Sequence, residues 1–196
     1  LEKYLALKIL DGPMTGKKIL ILTASHLCRN PRVVKEATTL GNAGYDVTVM
    51  TISVSERFEQ IDLALLRNLP FRRLTIDYAI DPARAQLANF IQRSATWSAR
   101  WLRRHLGVEL AQSLGPARTL LRFARTFPAD LTIVHTEIPL WAAQHLIRDR
   151  RRVAVDMEDW YSEDLLAADR RSRPIKLLAP SRILCAQPCG LLVHHI

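Results

Sequence analysis

Seven glycines are few for 196 residues, and nowhere do they fall as GxGxxG behind an apolar run. The loop that lets a backbone approach a pyrophosphate is therefore missing, which excludes the usual route to a nicotinamide or flavin cofactor. Cysteine is scarce as well: three residues, an odd number, make no disulfide framework and fit a reducing compartment. No apolar run nears the roughly 18 residues of a membrane span, and the amino end lacks the pattern of a secretory leader. The expectation is a cytoplasmic protein. Acidic groups are also in deficit, 19 against 28 Lys and Arg, for a net charge of +9.

What is present begins with 17–44, where KKILILTASHLCRNPRVVKEATTLGNAG reads as strand, polar loop, helix and glycine stop. The run 19–22 is too short for a helix and rich in branched residues, as in a central strand covered on both faces. Gly41 and Gly44 are expected to end the helix, and 46–50 resumes a strand, completing a βαβ unit. Hydrophobic residues make up 48% of the chain, enough for one full core and too little room for two domains. Residues 1–16 read as an extension ahead of the fold, 17–174 as a doubly wound α/β domain, and 175–196 as a truncated or aberrant tail.

The charge is concentrated. Between Pro82 and Pro128 eight arginines stand against Glu109 alone. On a helix, Arg93, Trp97, Arg100 and Arg104 share one face, Leu87, Ile91, Ala95, Leu102 and Leu106 another, with Phe90 and Trp101 at the border. Such a helix either packs its apolar side on the sheet and solvates its arginines, or lies on an anionic membrane surface through Arg93, Trp97, Arg100, Trp101 and Arg104. Nucleic acid is the weaker partner, because no helix-turn-helix, zinc-finger or RNA-binding aromatic motif accompanies the basic patch.

Two further strands are expected at 129–134 and 152–156, the first followed by a helix from Pro139. In a parallel sheet the polar groups after each strand lie along one edge. The segments 25–32, 135–137 and 156–164 should therefore line a single cleft.

These segments carry a resemblance. SHLCRNPRVVKEATTLGNAGYDVTVMT, ADLTIVHTEIPLWAAQHL and VAVDMEDWYSEDL together resemble the amino-terminal domain of retaining GT-B glycosyltransferases, the group of sucrose synthases and many bacterial mannosyl- and glucosyltransferases. The resemblance implies a Rossmann-like sheet of order 3-2-1-4-5 with helices on both faces. It also implies a second domain that binds a nucleotide-diphosphate sugar, and metal-independent transfer of that sugar, with retention, to a sugar or lipid-linked acceptor. The donor domain's two glutamates separated by seven residues have no counterpart here, so the chain alone is expected to be inactive. No cofactor and no metal are expected. A membrane-held acceptor would place the enzyme peripherally on the inner face of the membrane.

The resemblance also assigns roles. His135 matches a histidine near the sugar, against the alternative of a histidine bonded to loop backbone. Glu158 takes the place of a histidine in the segment 156–163, with Asp159 beside it; these two carboxylates and His135 are the candidate catalytic groups. A carboxylate accepts hydrogen bonds from hydroxyls and can orient or deprotonate one, although it can equally cap a helix or pair with Arg29 or Arg32. His26, Arg29, Asn30, Arg32 and Glu137 are the candidate substrate-binding groups; for Asn30, capping the helix ahead of Pro31 is the favoured role. Cys28 has no histidine and acid arranged around it and reads as incidental, Trp141 reads as packing, and Cys185, Cys189, His194 and His195 match no zinc spacing. Two other functions stay open, a stand-alone flavodoxin-like binding or regulatory module and a basic nucleic-acid-associated protein.

Overall fold

Unbroken runs of branched residues make the strands, and their alternation makes the two faces. In a computed structural model, which describes residues 5–6, 16–77, 82–156, 166, 171, 174–178 and 191–194, the strands are β1 (Leu5–Ala6), β2 (Lys18–Leu22), β3 (Asp46–Ser53), β4 (Arg72–Asp77), β5 (Leu131–His135), β6 (Val153–Asp156) and β7 (Leu191–His194). They form one sheet of order β1-β4-β3-β2-β5-β6-β7. All pairings are parallel except that of β1 with β4. The stretch β4-β3-β2-β5-β6 has the expected 3-2-1-4-5 order of a Rossmann-like α/β fold. Leu5–Ala6, in the stretch read as an extension, adds to one edge, and Leu191–His194, in the stretch read as a tail, adds to the other.

The helices are α1 (Pro31–Asn42), α2 (Glu56–Leu65), α3 (Pro82–Leu106), α4 (Ala117–Thr126), α5 (Glu137–Arg148) and the single turn α6 (Ile175–Leu178). Because successive strand residues point to opposite faces, Leu20 and Leu22 of β2 join Met50, Ile52, Val134 and the buried sides of α4 and α5. Ile19 and Ile21 face the other way, onto Val47, Val49, Ile133 and the Val33 and Ala37 side of α1. Both faces are dry, so a continuous apolar strand is the pattern such a sheet requires. Trp141 is buried in the α4–α5 core, as its sequence context implied.

Two local expectations shift. Gly41 lies inside α1 rather than ending it; a Cβ there would stand 2.1 Å from the Pro70 carbonyl oxygen, so the glycine serves close helix-to-loop packing. Gly44, at φ +90, is the residue that turns the chain out of the helix. Helix α5 begins at Glu137, two residues before Pro139, with Thr136 as its flanking residue.

Candidate functional site

Parallel pairing brings the carboxyl ends of β2, β3, β5 and β6 to one edge, and two ionic clusters stand there on the α1–α2 face. The first holds the loop after β2. In that loop Leu27–Arg29 forms a 3-10 turn whose preceding residue, His26, gives it no side-chain cap. Asp62, three residues after Glu59 on α2, supplies the missing acceptor from across the fold. It takes the Leu27 N–H at 3.1 Å and the Cys28 N–H at 2.7 Å. The Val54 N–H donates to His26 Nε2 at 3.3 Å, so the ring proton sits on Nδ1, which lies 3.1 Å from Asp62 Oδ2. Arg73 closes the cluster: Nη1 and Nη2 donate to Glu59 at 2.9 Å each, Nη2 lies 3.1 Å from Asp62, and Nε donates to Thr51 at 2.8 Å.

This arrangement corrects the expectation for His26. It is buried, and both ring nitrogens are committed to holding the loop, so it offers nothing to a substrate. The ligand atoms of His26, Glu59 and Asp62 lie within 4.8 Å of one another, a spacing compatible with a metal ion. A guanidinium already occupies the position of that charge, and a second cation there would be repelled. Arg29 is exposed and rests its guanidinium 5.5 Å from the Phe58 ring centroid, a surface cation–π contact. Asn30 caps α1 by accepting the Val33 N–H at 3.3 Å, with Pro31 at the first helical position.

The second cluster follows from register. His135 and Asp156 are paired residues at the ends of β5 and β6, and alternation turns both toward α1. Arg32 and Glu36, four apart on α1, share the face that meets them. His135 Nε2 lies 2.6 Å from Glu36 Oε2, and Nδ1 lies 3.3 Å from Asp156 Oδ2, which is also 3.3 Å from Arg32 Nε. His135 is 0% exposed, whereas Arg32 and Glu36 keep about a third of their side-chain surface in water, 37% and 30%. The cluster is thus a buried imidazole beneath a polar rim. Glu137 follows in the first turn of α5, where the helix dipole favours its charge.

This second site is not saturated. Five buried side-chain polar atoms lack a hydrogen-bond partner among the described residues; two of them, Thr136 Oγ1 and Asp156 Oδ1, stand at the carboxyl ends of β5 and β6, and a third, Ser53 Oγ, ends β3 beside the Val54 amide that binds His26. Thr136 also has φ 68 and ψ 169, a region that belongs almost entirely to glycine. Unpaired atoms at the ends of two paired strands, one of them on a strained backbone, are where a hydroxyl-rich ligand would repair the deficit. Asp156 Oδ1 could accept from such a ligand, and the two hydroxyls could both donate and accept. The remaining candidates, Glu158 and Asp159, lie outside the described residues. Cys28 is half-buried, and burial pushes its thiol above the ordinary value, with a hydrogen bond to Asp62 and the Asp62 charge adding to the effect. A thiol held protonated is a poor nucleophile, in line with an incidental role.

Sequence reasoning missed Glu36, Asp62, Arg73 and Thr136. The four-residue spacing of Arg32 and Glu36 was a legible signal for a shared face. Nothing in the sequence marks a threonine that will adopt a positive φ.

Helix α3 does not follow the first of its two expected arrangements, packing on the sheet. It lies mainly against the 3-10 turn Ala111–Leu114 instead of the sheet. Among its described side chains Ala99 is the buried one, and Ile91 and Leu106, of the apolar face, are exposed together with Phe90, Trp97 and Trp101. The cause is that arginines reach inward: Arg100 Nε donates to the Ser113 carbonyl at 3.1 Å, and Arg103 lies 3.2 Å from Glu109. Arg93 and Arg104 stay on the surface, and the Trp101 ring stacks 4.8 Å from His105. Among the described residues no helix is long and apolar enough to cross a membrane.

No protein-family model and no curated protein matches the sequence. Two solved structures, O-ureido-L-serine synthase and a mutant of it bound to O-ureido-L-serine, align with 91% of this chain at 11% and 12% identity and TM-scores of 0.24 and 0.25. The chain spans 57% and 56% of their lengths. Likeness at that level carries no argument about function.

Proposed function

We propose that the strand-end edge binds a polyhydroxylated acceptor, and that this chain is the acceptor-side half of a retaining glycosyltransferase. The observation that carries the reading is the unsaturated edge: Thr136 Oγ1 and Asp156 Oδ1 are buried without partners among the described residues, beside the Arg32–Asp156–His135–Glu36 cluster. Sugar hydroxyls are the natural complement, since each can donate and accept in turn. His135 has each ring nitrogen beside a carboxylate, so its part is to position Asp156 and Glu36. Here the acceptor is held and oriented, and a partner domain brings the nucleotide-diphosphate sugar and encloses the cleft. The sequence motifs at the three strand ends support the same family of reactions. Fold alone would not, because doubly wound sheets serve many chemistries.

The test is to express the chain together with the coding sequence that follows it, and to measure nucleoside diphosphate release from a panel of nucleotide sugars with and without candidate acceptors. Acceptor-dependent release that falls at least tenfold in Asp156→Asn is the expected result, roughly the loss of one charge-assisted hydrogen bond. A folded protein that releases nothing from any nucleotide sugar, or an Asp156→Asn variant as active as the wild type, overturns the proposal.

A further inference from the structure

A concavity of about 670 Å³ lies between one face of α3 and the walls formed by Val54, just beyond β3, and by Gly115 and Pro116. Its α3 side presents Arg93, Trp97 and Arg100, which recur at four and three residues and so share one face of the helix, with Gln92 and Thr96 alongside. Among the described residues no acidic side chain lines it. Arg93 makes no hydrogen bond or ion pair among the described residues. Arg100 is tethered through Nε to the Ser113 carbonyl, which fixes the direction of the guanidinium while Nη1 and Nη2 keep their donors unassigned among those residues. Gly115, at φ +86, lets the opposite wall approach without a side chain.

We propose that this concavity is a binding site for a phosphate monoester. Two guanidiniums with no opposing carboxylate among the described residues fit a dianion, and each presents the planar fork that phosphate oxygens match. The volume is several times that of an inorganic phosphate, so the ligand carries a body, and Trp97, Val54 and Pro116 offer that body an apolar and aromatic lining. Phe90 and Trp97 are 68% and 69% exposed on α3, so the mouth of the site is flanked by aromatic surface. The same phosphate chemistry is available from a soluble phosphomonoester or from the headgroup of phosphatidic acid. This inference stands on α3 and is independent of the glycosyltransferase reading.

Tryptophan fluorescence titration of the purified chain with phenyl phosphate, with phenol as the uncharged control, tests the soluble source. Co-sedimentation with phosphatidylcholine vesicles containing or lacking phosphatidic acid tests the lipid source. Saturable binding of either phosphate probe, absent for its uncharged control and weakened about tenfold in Arg93→Gln, is the expected result. Arg93→Gln carries the test because Arg100 also braces the 111–114 turn; an unchanged urea midpoint shows that the variant is folded. Binding of phenyl phosphate assigns a soluble ligand, and binding confined to phosphatidic acid vesicles assigns a lipid. Failure of both probes, or binding that Arg93→Gln leaves unchanged, overturns the proposal.

Discussion

The two histidines at the carboxyl edge of the sheet sit on the same face, in the same kind of ionic cluster, and do different work. Around His26 every charged group has its complement: Asp62 serves two amides, an imidazole and a guanidinium, and Arg73 serves Glu59, Asp62 and Thr51. Around His135 the pairs open toward water through Arg32 and Glu36, and Asp156 Oδ1 and Thr136 Oγ1 have no partner among the described residues. A histidine in a polar cluster at a strand end is therefore not by itself a sign of function. What separates the two is whether the charged groups themselves are satisfied, because a closed ionic network fixes structure and an open one has bonding capacity left for a ligand.

Removing the hub of the closed cluster should have the largest effect. Asp62→Ala leaves two turn amides and part of the Arg73 guanidinium without an acceptor in a site that water does not reach, which costs roughly 3–5 kcal/mol in urea denaturation. A loss under about 1 kcal/mol would show that the first cluster is as open as the second, and the contrast would collapse. The next effect has the opposite sign. Thr136→Gly relieves a backbone conformation that costs on the order of 1–3 kcal/mol, and gives back about 0.5–1 kcal/mol through the freer unfolded chain. The net is a gain of about 1 kcal/mol in unfolding free energy, read as a higher urea midpoint, and a protein weakened by this change would not be storing strain at the β5 end.

A smaller change is expected at Asp156. Asp156→Asn keeps the shape and an acceptor oxygen but removes one charge from a cluster that Arg32 and Glu36 expose to solvent, where ion pairs are worth about 1 kcal/mol or less. Its stability loss should fall well below that of Asp62→Ala in the same denaturation experiment. Equal losses would make both clusters structural and leave the strand-end edge without its distinguishing property.

Much of this frame was legible in the sequence, for physical reasons. Branched runs at 19–22 and 46–50 and the cap Asn30-Pro31 report local preferences, and local preferences agree with the fold in the elements that carry the sheet. His135 and Asp156 were found as strand-end groups because parallel topology collects such ends. His26 departs from its expected role because its partners are Asp62 on α2 and the Val54 N–H beyond β3, and a single sequence does not say which distant acid will cap a turn. Helix α3 has two arrangements open to it in the sequence, packed on the sheet or lying on a surface, and the contact it makes, with a turn that accepts a bond from Arg100, is not visible in its helical wheel. Gly41 was read as a stop, but its partner is the Pro70 carbonyl, a contact made by tertiary packing alone.

The finest probe of the contrast is the thiol at its boundary. Cys28 lies in the loop that Asp62 anchors, and its thiol is pushed above the ordinary value first by burial, then by its hydrogen bond to Asp62 and by the Asp62 charge, against smaller opposing effects from a backbone hydrogen bond and Arg29. The folded state therefore holds this proton to higher pH than the unfolded state. The stabilisation that results is complete below the unfolded thiol's pKa and is lost as pH rises through the folded one. Alkylation of Cys28 by iodoacetamide, followed by peptide mass spectrometry to separate it from Cys185 and Cys189, should accelerate at higher pH in the native protein than in urea. In Asp62→Asn the rise should move back toward lower pH, because the carboxylate's contribution is gone while the burial is kept. An unmoved profile in that variant would mean that the Asp62 charge does not reach the loop, and the closed cluster would then end at His26.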